Sequence, residues 1–566
     1  MPTTMPTITI DGKACEFEPG QTILQVALAN GINIPYYCYH PGLSVVASCR
    51  ICLAEVWAPN PRNDNKLEPI PKLAPTCQTT CGDGQVVYTD SPKAIANQKS
   101  VMEYLLINHP LDCPVCDQAG ECLLQDYSYQ YGRSVSRFEE DKIKQPKKDL
   151  GPNVLLYADR CIMCSRCVRF TREVTETAEL TIEGRGAHEQ IDVFPGKPLD
   201  NELASNVIDL CPVGALLDKD FLFAQRVWYL KEAPSIDGVT ASGDNIWIEH
   251  NDGKVYRVKP RENLKINRWW ITDEVRYTIE HIHSPDRLRT CVRRQFGAPV
   301  EATYERALRE AHEALTAAKG VALVVSPMLA SEEAYALGAA VLAIDADATL
   351  AVGPVPTRGE DRVYPPNATP AHAGGEGFVV RAEKAPNARG VRAALEALAP
   401  GRVRSWEDVE GRIGGFGALV LTGNYPTQWA PESLLRATER GRAEAGAGRP
   451  FLVLLDTLRG PLAERADVVI PGATWVEKNG SFVNAEGVAQ AFERAIIPLD
   501  GATPEGQIAL DLRALSRGER IGVEAYEGGA LRREMASEHD SLRSMGELRA
   551  PAKAKDTKGD MAVVEL

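Results

Sequence analysis

The run Cys161-Ile162-Met163-Cys164-Ser165-Arg166-Cys167, answered further along by Cys211-Pro212, constrains this chain more than any other stretch. Three cysteines two residues apart, closed by a distant Cys-Pro, have the thiolate spacing of a cubane iron–sulfur cluster. Zinc sites usually take their ligands as two separated pairs that close a tetrahedron, whereas three cysteines on one tight loop suit the corners of a cube. Arg160, Arg166 and Arg169 flank the loop, where cations offset the negative charge of a thiolate-held cluster.

Thirteen of the 14 cysteines fall before residue 212, and Cys291 alone follows. Clustered cysteines in a cytosolic chain read as metal ligands rather than disulfides. The formal charge of −14 over 566 residues offers no basic footprint, so no nucleic acid partner is expected and proteins are. No apolar run reaches the roughly 18 residues of a membrane span, and Met1-Pro2-Thr3-Thr4-Met5-Pro6 lacks the charged and apolar regions of a secretion signal. The expected place is the cytoplasm.

The first ninety residues read as a hairpin followed by a helix. Thr7-Ile8-Thr9-Ile10 and Ala14-Cys15-Glu16-Phe17 alternate about Asp11-Gly12, a type I′ turn signal. Thr22 caps a helix through Ile23, Leu24, Val26, Ala27 and Leu28 that ends at Asn30-Gly31. Hairpin, helix and then a cysteine loop is the order of a plant-type ferredoxin, with Cys38, Cys49, Cys52 and Cys77 as ligands of a 2Fe-2S cluster. The first gap is longer than the plant-type C-x4-C. Cys81 competes for the fourth place, but Pro75-Thr76-Cys77 follows an apolar run while Cys81 opens a Gly82-Asp83-Gly84 turn, which favours Cys77. Cys15, in phase with Phe17, reads as a small buried hydrophobe.

Ser91 to Asn108 reads as one helix with Ile95, Val101, Leu105 and Leu106 on its buried face. It leads into His109-Pro110-Leu111-Asp112-Cys113-Pro114-Val115-Cys116 and then Cys122, one imidazole and three thiolates. Spacing alone leaves open a structural zinc site of three cysteines and one histidine, and equally a His109 that merely ends a helix.

Three motifs together resemble the iron–sulfur subunit family of respiratory complex I, the 75 kDa or G-type subunits of NADH-quinone oxidoreductase. They are Pro35-x-x-Cys38-Tyr39 with Cys49-Arg50-x-Cys52, Cys113-Pro114-x-Cys116-Asp117-x-x-Gly120-x-Cys122-x-Leu124-Gln125, and Arg160-Cys161-x-x-Cys164-x-Arg166-Cys167. The resemblance implies a 2Fe-2S cluster on the first set and a 4Fe-4S cluster on His109, Cys113, Cys116 and Cys122. It implies an all-cysteine 4Fe-4S cluster on Cys161, Cys164, Cys167 and Cys211, and it makes His109 a ligand and iron the metal. Two small residues depart from the family's pattern, Ala47 where glycine is usual and Ala119 where Gly or Ser is, which bears on backbone φ rather than on ligation.

Beyond Trp228, Ile246-Trp247-Ile248 and Val255-Tyr256-Arg257-Val258 about Asn251-Asp252-Gly253 read as a small β-unit. Molybdopterin oxidoreductases, and some bacterial members of the complex I family, carry another cubane in this region, and this chain has no cysteine there. The runs 321–326, 418–423, 451–456 and 466–471 read as strands buried on both faces of an α/β sheet. Ala466-Asp467-Val468-Val469-Ile470-Pro471, then Glu477-x-x-Gly480-Ser481-Phe482-x-Asn484-x-Glu486-Gly487, resembles a molybdopterin oxidoreductase domain. Without a ligand position for molybdenum it reads as degenerate, and no molybdopterin is expected. The glycines of 414–417 and 441–448 lack the spacing of a phosphate loop. Residues 355–400 read as a surface excursion.

The fold class that follows is multidomain α+β and α/β. Residues 1–90 form a 2Fe-2S ferredoxin-like domain, 91–150 the His/Cys 4Fe-4S domain and 151–227 a 4Fe-4S ferredoxin-like domain. A small β-unit covers 228–285, the degenerate molybdopterin-like α/β domain 286–525 and a polar tail 526–566. The resemblance implies an electron relay from a flavin- and NADH-binding subunit toward quinone, among the other peripheral-arm subunits of complex I. The relay would lie on the cytoplasmic side of the bacterial inner membrane, touching the membrane only through the complex, as part of a translocase and with no catalytic residue or substrate site of its own. The alternative, a relay subunit of a formate dehydrogenase or NAD-linked hydrogenase, would need a further metal centre, for which Cys291 alone is left.

Overall fold

The computed structural model describes residues 5–439 and 449–552, so the glycines of 441–448 lie outside the described residues. Two compact units divide at Tyr229/Leu230.

The first unit opens with the antiparallel hairpin Thr7–Ile10 and Lys13–Glu16. Its turn has positive φ at Asp11 and Gly12, the geometry that makes a two-residue turn follow strand twist. The helix Ile23–Ala29 starts at a capping box in which Thr22 and Gln25 satisfy each other's backbone N–H, a device worth about 1 kcal/mol. Val86–Tyr88 lies parallel to the first strand and joins it to Leu53–Asn60 and Lys66–Pro69 in one sheet. Ile8, Ile10, Ile23, Leu24, Val56 and Val87 form the core beneath, with Cys15 and Phe17 buried beside them.

The helix Pro92–Leu106 is capped by Ser91, but its buried face differs from expectation. Ala94, Gln98, Val101 and Met102 are buried, while Ile95 is 38% exposed. The reason is polar: Gln98 donates to the carbonyl of Thr89 and rotates the helix so that the small Ala94 faces inward. Next come the helix Leu123–Tyr131 and a three-stranded sheet of Lys147–Asp149, Val154–Tyr157 and Leu216–Asp218. Between the last two strands sit the helix Arg166–Glu173, the hairpin Leu180–Glu183/Gln190–Val193 and the helix Asn206–Leu210.

The second unit begins with a meander, Lys231–Ile236, Asn245–Asn251 and Lys254–Pro260. It does not form a separate domain ending near 285. Ile246, Ile248 and Val258 share one core with Trp475, Phe482, Phe492 and Ile496, because the meander has too little apolar surface to close a core alone. A seven-stranded sheet follows, in the order Ala298–Ala302, Cys291–Gln295, Val468–Pro471, Phe451–Asp456, Ala418–Thr422, Val321–Val325 and Thr349–Val352. The last five are parallel and buried on both faces. The Cys291 hairpin adds an antiparallel edge that the pattern of apolar runs does not reveal.

Each of two stretches read as peripheral contains a helix that joins the core, although residues 356–376 lie at the surface as expected. Within 355–400, the helix Ala388–Leu398 buries Val391, Ala394 and Leu395. In the supposed tail, the helix Gly528–Glu538 and the turns of Asp540–Glu547 bury Leu531, Met535, Leu542 and Met545 against the main core. Their apolar residues are few but fall on one face, so composition hides them and periodicity does not.

Candidate metal centres

Cys38, Cys49, Cys52 and Cys77 come together beside the ferredoxin-like core. The Sγ atoms of Cys52 and Cys77 are 3.6 Å apart, and the Cys49 and Cys77 thiols hydrogen-bond to Cys38 and hold its pKa far down. Cys77 likewise pushes Cys52 down to about 7. Cys81 stands elsewhere: its N–H donates to the Gln21 carbonyl, and burial raises its thiol to about 11 with Cys15 as the charged neighbour. The loop folds through left-handed residues at Ala47 and Arg50.

The second group forms where the helix Pro92–Leu106 ends. His109, Cys113, Cys116 and Cys122 line one cavity, with Asp112, Ala119, Gln125, Arg160 and Gly214 completing its wall. Burial, aided by Arg160 and Lys142, pushes His109 down to about 4, leaving a neutral imidazole at pH 7, the form that binds metal. Burial pushes Cys122 up to about 12, opposed by the N–H groups of Gln125 and Leu124 at the start of the next helix. A Cβ on Gly214 would lie 2.2 Å from the Cys116 Sγ, so only glycine lets that backbone approach the thiol. Gly120 has φ +92° and faces Val227 and Trp228, whereas Ala119 keeps negative φ and carries no strain.

Cys161, Cys164, Cys167 and Cys211 line a second cavity, whose wall includes Leu156, Ile162, Ile191, Val213 and Leu216. Left-handed Met163 and Ser165 curl the loop so that backbone N–H groups point at sulfur. The N–H of Met163 donates to Cys161 at 3.4 Å, and Cys211 receives those of Val213, Leu216 and Ala215. Burial pushes Cys161 up to about 12 and Cys164 to about 11. Among the described residues no three His, Cys, Asp or Glu side chains converge on one point as a single ion requires. In the second and third groups the donors are instead spread around the wall of a cavity, a fit for a multinuclear cluster.

The arginines around the third loop tie it to other segments, which its sequence does not reveal. Arg166 donates to the carbonyls of Leu210 (3.1 Å) and Tyr39 (2.6 Å). Arg169 donates to those of Cys38 and Ser44. Arg160 pairs with Asp112.

Family models match in the same order as these groups: a 2Fe-2S iron–sulfur cluster binding domain over residues 3–92, an NADH-ubiquinone oxidoreductase-G iron–sulfur binding region over 98–137 and an NADH-quinone oxidoreductase subunit 3 ferredoxin-like domain over 151–217. These three regions are similar to the iron–sulfur domains of the complex I 75 kDa subunit family. Residues 230–280 match a further 4Fe-4S domain of that family, and 421–514 match a molybdopterin oxidoreductase domain. The G-type subunit of NADH-quinone oxidoreductase from Rickettsia bellii is 38% identical over 302 residues, 53% of this chain and 43% of that protein. The mitochondrial 78 kDa subunit of NADH-ubiquinone oxidoreductase from Neurospora crassa is 41% identical over 54% of this chain and 39% of its own length. The mitochondrial NADH dehydrogenase iron–sulfur protein 1 of Solanum tuberosum is 44% identical over 48% and 35%. The matches thus span less than half of each relative. A chain of an NAD+-reducing NiFe-hydrogenase is 28% identical, covering 40% of this chain and 92% of that one, at a TM-score of 0.34.

In two of the matched regions the residues do not fit the group that the match suggests. The segment 230–280, matched to a 4Fe-4S domain, contains no cysteine, and the buried polar side chains of its first loop, Asp237, Thr240 and Asp244, offer oxygen. In the molybdopterin-like domain, the crevice at the carboxyl ends of the parallel strands, where such sheets take ligands, is filled by the protein itself. Asn424 bonds Glu505, Trp429 donates to Asp456 at 2.9 Å, and Lys478 Nζ lies 2.7 and 2.8 Å from Glu505 and Glu333. The sequence reading did not single out Lys478 or its partners, although Lys478 lies inside the Glu477-x-x-Gly480 motif that carries the resemblance.

Proposed function

We propose that this chain is the iron–sulfur electron-relay subunit of an NADH:quinone oxidoreductase. Cys38, Cys49, Cys52 and Cys77 hold one 2Fe-2S cluster, His109, Cys113, Cys116 and Cys122 a 4Fe-4S cluster, and Cys161, Cys164, Cys167 and Cys211 another. The observation that carries this reading is the single cavity shared by His109 and three thiols, the least common of the three donor sets. Bound clusters supply one-electron carriers. The residues around them wall the third site with apolar side chains, aim backbone N–H groups at the sulfurs and keep His109 neutral. The chain has no substrate site of its own. It takes electrons from a flavin- and NADH-binding subunit and works beside other peripheral-arm subunits, on the cytoplasmic side of a membrane that it meets only through the complex. Among the described residues no helix is long and apolar enough to cross a membrane. The filled crevice at Asn424, Asp456, Lys478 and Glu505 supports a molybdopterin-free domain.

The test is an iron and sulfide assay with EPR on the anaerobically purified, reduced chain. About ten irons per chain are expected, as one binuclear and two cubane clusters. A reproducible value near fourteen, or a zinc-filled protein without visible absorption, would overturn the assignment.

A further inference from the structure

Arg160 directly precedes Cys161, yet its side chain belongs to the other cavity. The guanidinium lines the wall shared by His109, Cys113, Cys116 and Cys122, while Arg166, and not Arg160, lines the Cys161 cavity. Three contacts hold it there. The guanidinium stacks on the Tyr157 ring at 3.9 Å, donates to Asp112 from Nη2 at 2.7 Å and from Nε at 3.1 Å, and reaches the Gly214 carbonyl at 3.5 Å. The ion pair is lopsided: the Arg160 side chain is 3% exposed and that of Asp112 36%. Solvent and salt screen the exposed carboxylate more than the buried cation, so a net positive field remains at the cavity.

We infer that Arg160 is a tuning residue for the His109 site, its fixed charge raising the reduction potential of a cluster held there, with Asp112 as a partial counterweight. The inference rests on the proposal that this site takes a cubane. Tuning here is crossed: the residue that introduces one cysteine loop sets the electron affinity of the other. Arg166 and Arg169, whose donors go to carbonyls near Cys38 and Leu210, stabilise loops and leave this role to Arg160.

The test is a redox titration of the cluster-loaded full chain followed by EPR, with the two cubane signals assigned by their loss in His109→Ala and Cys211→Ala. Arg160→Gln should lower the midpoint of the His109-site signal by about 59 mV, a tenfold change in its one-electron reduction equilibrium, and move the Cys161-site signal less. Arg160→Lys should restore most of the shift. Asp112→Asn should move the same midpoint upward, by less. Equal shifts of both signals in Arg160→Gln, or a shift of the Cys161-site signal alone, would overturn the inference. Should Arg160→Gln fail to assemble the site, the sign in Asp112→Asn decides, and a downward shift there sinks the idea. A wild-type cubane signal that His109→Ala does not remove defeats the reading of the site itself, whereas an assigned signal that Arg160→Gln leaves unmoved defeats the inference alone.

Discussion

The two units bury polar side chains to opposite ends. In the first, thiols and an imidazole face two cavities whose donors are not used up by one another. In the second, buried charges saturate each other: Lys478 with Glu333 and Glu505, Arg532 with Glu332, and Arg287 with Glu477. An interior that will receive a charged group keeps its donors free, and one that will not must supply the partner itself, since an unpaired buried charge costs several kcal/mol. The molybdopterin-like domain thus has a parallel sheet whose carboxyl-end crevice is filled from within.

The sharpest way to break this contrast is to remove one free donor and one paired charge. His109→Ala deletes a donor whose cavity has no spare histidine, so the second cluster should be lost and the iron content should fall from about ten to about six per chain. Unchanged iron and an unchanged second cubane signal would hand the fourth place to a neighbour such as Asp112 or Asp117. The global fold should persist, because His109 lies at the end of a helix rather than within a core.

Lys478→Met should do the reverse, leaving all cluster signals intact while destabilising the second unit. Burial works against the Lys478 charge, and Glu333 and Glu505 more than offset it. Breaking such a buried set costs about 3–5 kcal/mol. The lower end applies here, because burial raises Glu505 to about 8 and one carboxylate already holds a proton at neutral pH. Denaturant unfolding followed at the tryptophans measures it, and a loss under 1 kcal/mol would mean that the triad is not a closed network.

The same carboxylate makes a smaller, pH-dependent prediction. The pKa of Glu505 is about 8 in the folded protein, above the ordinary 4.5. Between those values the native state binds more protons than the unfolded chain, so stability is fully present below the unfolded pKa and is lost as pH rises toward 8. The slope cannot exceed about 1.4 kcal/mol per pH unit from one group. Glu505→Gln should flatten it, and stability of the second unit that rises from pH 5 to 8 would contradict the assignment.

How much of this was legible in the sequence differs between the units for a physical reason. Cysteine spacing is a local property, so the grouping of Cys161, Cys164 and Cys167, and that of Cys113 and Cys116, could be read directly. The choice of Cys77 over Cys81 came from turn chemistry, and these two thiols end in different surroundings. What Arg160, Arg166 and Arg169 do was not legible, because a guanidinium on a long stem reaches partners distant in sequence, such as Asp112, Tyr39 and Cys38. The buried strands announced themselves as unbroken apolar runs. The helices Ala388–Leu398 and Gly528–Glu538 did not, each covering the core with a narrow stripe among alanines, glycines and charges.

The smallest effect is predicted at Ala47, which holds φ +48°. Relieving a left-handed alanine is worth about 1–2 kcal/mol. Against this, Ala47 is 3% exposed and packs in the ferredoxin-like core, so Ala47→Gly forfeits about 0.8 kcal/mol of methyl burial. It also frees the unfolded chain by about 0.4–1 kcal/mol. The terms nearly cancel, so Ala47→Gly should change unfolding stability by less than about 1 kcal/mol and leave the 2Fe-2S signal where it is. Ala47→Val tests it from the other side: a β-branched residue at positive φ adds strain without a matching gain and should cost at least about 2 kcal/mol. A valine variant as stable as the parent would mean that the loop relaxes out of the left-handed region, and the first site's donors would then be less rigidly held than those of the third.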